Sequence, residues 1–123
     1  MESRIRAMQR LTAVVSGRVQ REGFRIRTWK DALLIGLQGY VKNLPEGTVQ
    51  VVAEGEQTDL EKFIDALAVK GRNISVSAIE KRYSPATGEF KAFEILWDEK
   101  DAELYEVAEV LIEAFANQAQ DPD

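Results

Sequence analysis

Gly17-Arg18-Val19-Gln20-Arg21-Glu22-Gly23-Phe24-Arg25 lies between an apolar run, Leu11–Val15, and a helix-like run that begins near Phe24. A glycine-flanked loop that feeds a helix N-terminus presents backbone N–H groups to an anion. A guanidinium at Arg25 adds a rigid, permanently charged fork suited to phosphoryl oxygens. The same residues have a plainer reading. A helix N-terminus disfavours a cation, so Arg25 can equally be a solvated surface arginine. The glycines, including Gly39 and Gly47 further on, can serve turns with no ligand at all.

Composition removes several alternatives. The 123-residue chain contains no Cys and no His. Cysteine phosphatase, phosphohistidine, Ser-His-Asp and His/Cys zinc chemistries are therefore excluded. A carboxylate-only magnesium site is formally open, but no Asp pair argues for one, and no cofactor is expected. The size suits one domain with a single modest core. No apolar stretch reaches the ~18–20 residues of a membrane span. Met1-Glu2-Ser3-Arg4-Ile5-Arg6 has no signal-peptide core, so a cytoplasmic location is expected.

Charge is unevenly distributed. Residues 1–30 hold eight Arg/Lys against Glu2 and Glu22, whereas residues 98–123 hold nine Asp/Glu against Lys100 alone. This divides the chain into a core region, 10–97, and an acidic C-terminal segment, 98–123. The basic third fits an anion site as well as a solvated face, and the acidic segment fits a solubilising or self-associating one.

The elements that must position the loop follow from periodicity. Leu11–Val19 alternates as a strand, with Leu11, Ala13, Val15 and Gly17 on one face. Phe24–Leu37 reads as a helix, with Ile26, Trp29, Leu33 and Leu37 at helical spacing and Ala32 beside them; Gly36 and Gly39 punctuate its end. Gln38–Leu44 and Thr48–Glu54 read as strands about the turn Pro45-Glu46-Gly47. Thr58-Asp59-Leu60-Glu61 has capping-box spacing and predicts a helix carrying Leu60, Phe63, Ile64 and Leu67, closing at Gly71. Ile74–Tyr83 and Phe90–Trp97 complete the set as strands. This order predicts an α+β sandwich of ferredoxin-like topology, its two helices on one face of a mostly antiparallel sheet. Val14, Val52 and Leu96 then fall on the outward face. Asp101–Gln118 reads as an extra amphipathic C-terminal helix with Leu104, Val107, Ala108, Leu111, Ile112 and Phe115 in one stripe. It is expected to pack across that face or to pair with a second subunit as a homodimer.

Two spaced patterns now stand out. Gly17-x-Val19-Gln20-x-x-Gly23-Phe24-Arg25 is followed by Ala32-x-x-Ile35-Gly36-Leu37-x-Gly39-Tyr40-Val41-Lys42-Asn43-x-x-x-Gly47-x-Val49 and then by Gly55. Together they resemble the acylphosphatase family over about residues 10–97. The resemblance implies metal-independent hydrolysis of the carboxyl–phosphate bond of a small acylphosphate. It implies that Arg25 and the loop Arg18, Val19, Gln20, Arg21, Glu22, Gly23 and Phe24 hold the phosphoryl oxygens. It also implies that Asn43 positions the attacking water. An amide has both an acceptor and donors, so it can hold a water in line without acting as a base. The chain departs from the family pattern at Arg21-Glu22, where a glycine-valine step is usual.

That departure keeps a second reading open: a non-catalytic domain of the same fold that binds an anion or mediates self-association. Glu22 precedes Arg25 by three residues, the spacing at which the two can pair on one face and exclude substrate. A nucleic-acid partner is disfavoured. The run Thr48–Glu54 carries no aromatic side chain to stack on bases, and a net charge of −5 repels a polyanion. No membrane partner is expected either.

Overall fold

The computed structural model describes residues 8–20, 23–68, 74–97 and 112. In chain order the elements are β1 (Met8–Arg18), α1 (Phe24–Ile35), β2 (Gln38–Asn43), β3 (Val49–Glu56), α2 (Gln57–Leu67), β4 (Ser75–Pro85) and β5 (Phe93–Leu96). They form a five-stranded sheet in the order β4-β1-β3-β2-β5. β1 pairs antiparallel with β3 and β4, β3 pairs antiparallel with β2, and β5 joins β2 in parallel. This is the ferredoxin-like α+β arrangement that the element order predicts.

Strand alternation builds the core. Leu11, Ala13 and Val15 of β1 lie opposite Ala53, Val51 and Val49 of β3, and all six are fully buried. α1 packs over β2 and β5, and α2 over β3 and β1. Leu60, Phe63 and Leu67 form the buried stripe of α2, and Phe63 meets Phe93 edge to face at 5.9 Å. Aromatic pairs of this geometry add about 0.5–1.5 kcal/mol beyond the area they bury.

Two local expectations are corrected. The capping box does not form: β3 runs on to Glu56, which takes the N-cap position in an extended conformation without a side-chain cap. Thr58 therefore falls inside α2, and Gln57 Nε2 reaches Glu61 Oε2 at 3.1 Å instead. The reason is sheet pairing. Met8 lies opposite Glu56, which keeps β3 extended two residues beyond the predicted end. The buried face of α1 is also rotated from the expected one. Phe24, Arg25, Thr28 and Ala32 are buried, whereas Leu33 is 44% and Leu34 71% exposed. Ile26 and Trp29 are only partly covered.

Val14, Val52 and Leu96 do occupy the outward face, through the pairs Val14↔Gln50, Thr12↔Val52 and Lys42↔Leu96. The connection from β4 to β5 folds over part of that face. Its anchor is Glu54, only 3% exposed. Glu54 accepts hydrogen bonds from the backbone N–H of Thr87 (2.9 Å) and of Gly88 (3.0 Å), and from Arg10 Nε (2.8 Å). Arg10 in turn lies 5.0 Å over the Phe90 ring, and Phe90 meets Tyr40 edge to face. The expected C-terminal helix and its packing lie outside the described residues, apart from Ile112, which is helical.

Burial pushes the Glu54 carboxyl up, but the donors from Thr87, Gly88 and Arg10 outweigh it and hold the group below the ordinary glutamate value. A carboxyl lowered in the folded state stabilises the fold above its unfolded pKa, and that contribution is lost as pH falls through the folded value. The thermal midpoint of the wild type is therefore expected to fall on acidification below the ordinary glutamate pKa of about 4.3. Glu54→Gln should start from a lower midpoint at neutral pH and show a shallower acid limb, as read by circular dichroism melts across pH.

Candidate active site

β1 and β2 both run antiparallel to β3, so they point the same way, and β5 is parallel to β2. Three strands thus end at one edge of the sheet. The loop after β1, the last residue of β2 and the residue after β5 meet there, as does the start of α1. The carboxyl ends of parallel strands are the usual place for a ligand in open sheets.

The loop is entered through a close approach. A bulge between Ser16 and Gly17 shifts the β1–β4 register. Gly17 has φ +126°, and a Cβ there would lie 2.2 Å from the backbone oxygen of Ser75. Only glycine lets β1 pass this close to the β4 backbone at the bulge. Gly23 closes the loop as the N-cap of α1, left-handed at φ 81°, with no side-chain cap and no acidic residue in the first turn. Substituting an L residue there would cost about 1–2 kcal/mol in backbone strain. The N-cap of α1 thus offers no side chain to the first-turn N–H groups, which suits an anion cradle.

The loop residues separate by role. Val19 and Phe24 are buried in the core and anchor the loop at both ends. Arg18, the last residue of β1, is exposed and lies opposite Ser75. Gln20 Nε2 donates to the backbone oxygens of Leu44 (2.9 Å) and Thr48 (2.8 Å). It thereby ties the loop to the β2–β3 turn, which closes on itself by Leu44 N–H to Thr48 O (2.8 Å) and Gly47 N–H to Leu44 O (3.1 Å). Arg21 and Glu22 lie outside the described residues.

Asn43 ends β2 immediately before that turn, and its Oδ1 is buried with no protein group donating to it. Thr28 Oγ1, one turn along α1 from Arg25, is likewise buried without a protein partner. Arg25 is 7% exposed in the first turn of α1, and its guanidinium carbon sits 4.7 Å over the centre of the Trp97 ring. A cation buried at the positive end of a helix is unfavourable by itself, and an anion placed there relieves both. Among the described residues no group of three His, Cys, Asp or Glu could hold a metal ion. The sequence pattern marks Trp97 only as the end of a strand. One aromatic at a strand terminus carries no signal for a role in the site.

The fold is a small α+β module whose β1 loop, α1 start, Arg25 and Asn43 gather where β1, β2 and β5 end. Comparison with known proteins gives the family. The acylphosphatase family model matches residues 11–95. An acylphosphatase of Thermus thermophilus is 44% identical over 88 residues, covering 72% of this chain and 99% of that protein. One of Acaryochloris marina is 43% identical over 86 residues, covering 70% and 91%. The crystal structure of the acylphosphatase from Bacillus subtilis superposes with a TM-score of 0.69 at 30% identity, covering 72% of this chain and 99% of that one. The chain belongs to the acylphosphatase family. A bacterial light-regulated adenylyl cyclase, at 16% identity and a TM-score of 0.56, shares the fold alone.

The Gln20 bridge predicts a coupled effect. Gln20→Ala is expected to lower stability by about 1–2 kcal/mol, the worth of two neutral hydrogen bonds whose acceptor carbonyls keep other donors. Urea unfolding checks this. The same variant should release the loop from the turn and so weaken anion binding, read by phosphate-induced protection against unfolding.

Proposed function

We infer that this chain is an acylphosphatase, a hydrolase that cleaves the carboxyl–phosphate bond of a small acylphosphate to carboxylate and inorganic phosphate. Family membership carries the reaction class. The observation that carries the site is the junction of a buried Arg25 with an α1 start whose N-cap is a glycine, beside the buried, undonated Oδ1 of Asn43.

In this reading the phosphoryl oxygens rest on the backbone N–H groups of residues 18–24 and on the Arg25 guanidinium. Water accepted by Asn43 Oδ1 attacks phosphorus in line. The P–O bond to the acyl group breaks as the new one forms, the carboxylate leaves, and the water proton passes to a phosphate oxygen. Phosphoryl transfer asks the protein mainly for positioning and charge stabilisation. A carboxylate is a weak base and leaves without a strong general acid. This chemistry is open to a chain with neither His nor Cys, and Arg25 supplies the cationic charge that other phosphoryl-transfer sites draw from metal ions.

Among the described residues no helix is long and apolar enough to cross a membrane. We place the enzyme in the cytoplasm, acting on a dissolved substrate.

Hydrolysis of benzoyl phosphate without added metal tests the assignment. Wild type should exceed the spontaneous rate, while Arg25→Ala and Asn43→Ala should each lose at least about 100-fold, the scale set by removing one preorganised charge-stabilising donor. A wild type no faster than spontaneous hydrolysis would leave the non-catalytic anion-binding reading. The double change Arg21→Gly, Glu22→Val would then show whether those two side chains cause the loss, since recovered turnover would assign it to them.

A further inference from the structure

We propose that Trp97 is a positioning residue for this site: its indole face holds the plane of the Arg25 guanidinium in the orientation that grips the phosphoryl oxygens. The proposal rests on the acylphosphatase reading above and assigns a role to a residue which that reading does not use.

Three observations place the ring. The Arg25 guanidinium carbon lies 4.7 Å over the indole centre, within cation–π range. β5 is parallel to β2 with Lys42 opposite Leu96. Continuing that register by one residue sets Trp97 beside Asn43, at the same edge of the sheet. Alternation then gives Trp97 and Asn43 the face of Phe93 and Val41, both buried beneath the helices.

The physical case concerns orientation. An arginine side chain has many rotamers, and a phosphoryl group is gripped well by the planar fork in only a few of them. A ring lying against one face of the guanidinium confines that plane without consuming its N–H donors. Arg25 is also withdrawn from water at a helix N-terminus, where an unconfined cation has reason to swing outward. The π-face offsets part of that cost. The ring sits at the end of the edge strand β5, so the arginine is held by a different element from the one that carries it.

The test separates a π-face from apolar bulk. Trp97→Phe keeps a ring, whereas Trp97→Leu and Trp97→Met fill space without one. Each is assayed below its thermal midpoint for benzoyl phosphate turnover and for competitive inhibition by inorganic phosphate. Trp97→Phe should stay within about threefold of wild type. The aliphatic variants should lose about tenfold in kcat/KM, and phosphate inhibition should weaken by a similar factor, the range expected of one partly desolvated cation–π contact. Equal behaviour of Phe, Leu and Met variants would overturn the proposal while leaving the enzyme assignment intact. So would aliphatic variants that do not fold while Trp97→Phe does, because that would make Trp97 a packing residue. A wild type without activity would overturn the acylphosphatase reading, and this proposal with it.

Discussion

The antiparallel pairing of β3 with both β1 and β2 is the constraint on which the rest of the molecule depends. It forces β1 and β2 to run in the same direction, although they never touch each other. Because of that, the loop leaving β1 and the residue ending β2 arrive at one edge, and α1 must start from the same edge. The parallel addition of β5 brings a third strand end to the same place. This arrangement is rooted in the sheet core. It is set by Leu11, Ala13 and Val15 facing Ala53, Val51 and Val49 in a register that a one-residue slip would invert.

Buried polar groups lie on both sides of the sheet. On the outward side Glu54 is buried, but its carboxylate is answered by Arg10, Thr87 and the Gly88 amide. That cluster is complete, and its consequence is mechanical: it fastens the 87–90 connection over the sheet and so fixes where β5 begins. On the helix side Arg25 is buried at a helix end that repels it, with the undonated Asn43 Oδ1 at the neighbouring strand end. A satisfied cluster holds the scaffold. At the candidate site it is the Asn43 Oδ1 acceptor that no protein group answers, a local cost of the kind that functional sites carry.

Much of this was legible beforehand because the chain is locally consistent. The alternation of β1, the Pro45-Glu46-Gly47 turn and the Leu60-Phe63-Leu67 stripe each describe a contact that the fold makes. Where local signals misled, a tertiary interaction won. Thr58 and Glu61 have the spacing of a capping box, yet pairing with Met8 keeps the chain extended to Glu56 and moves the helix start past them. α1 has apolar residues all round, so its periodicity does not single out one face. The side that is buried contains Arg25 and Thr28, residues that hydrophobicity alone would turn outward.

The residue types and their spacing were enough to determine the family, the order of elements and the identity of Arg25 and Asn43 as candidates. Backbone geometry and capping chemistry act over a few residues, and a short glycine pattern records them faithfully. Only the tertiary structure decided which groups share the site. Gln20 spans from the loop to the β2–β3 turn, and Trp97 lies against Arg25 across 72 positions of chain. Such partnerships follow from strand order and register, which are properties of the whole sheet and leave no mark in the residues beside them.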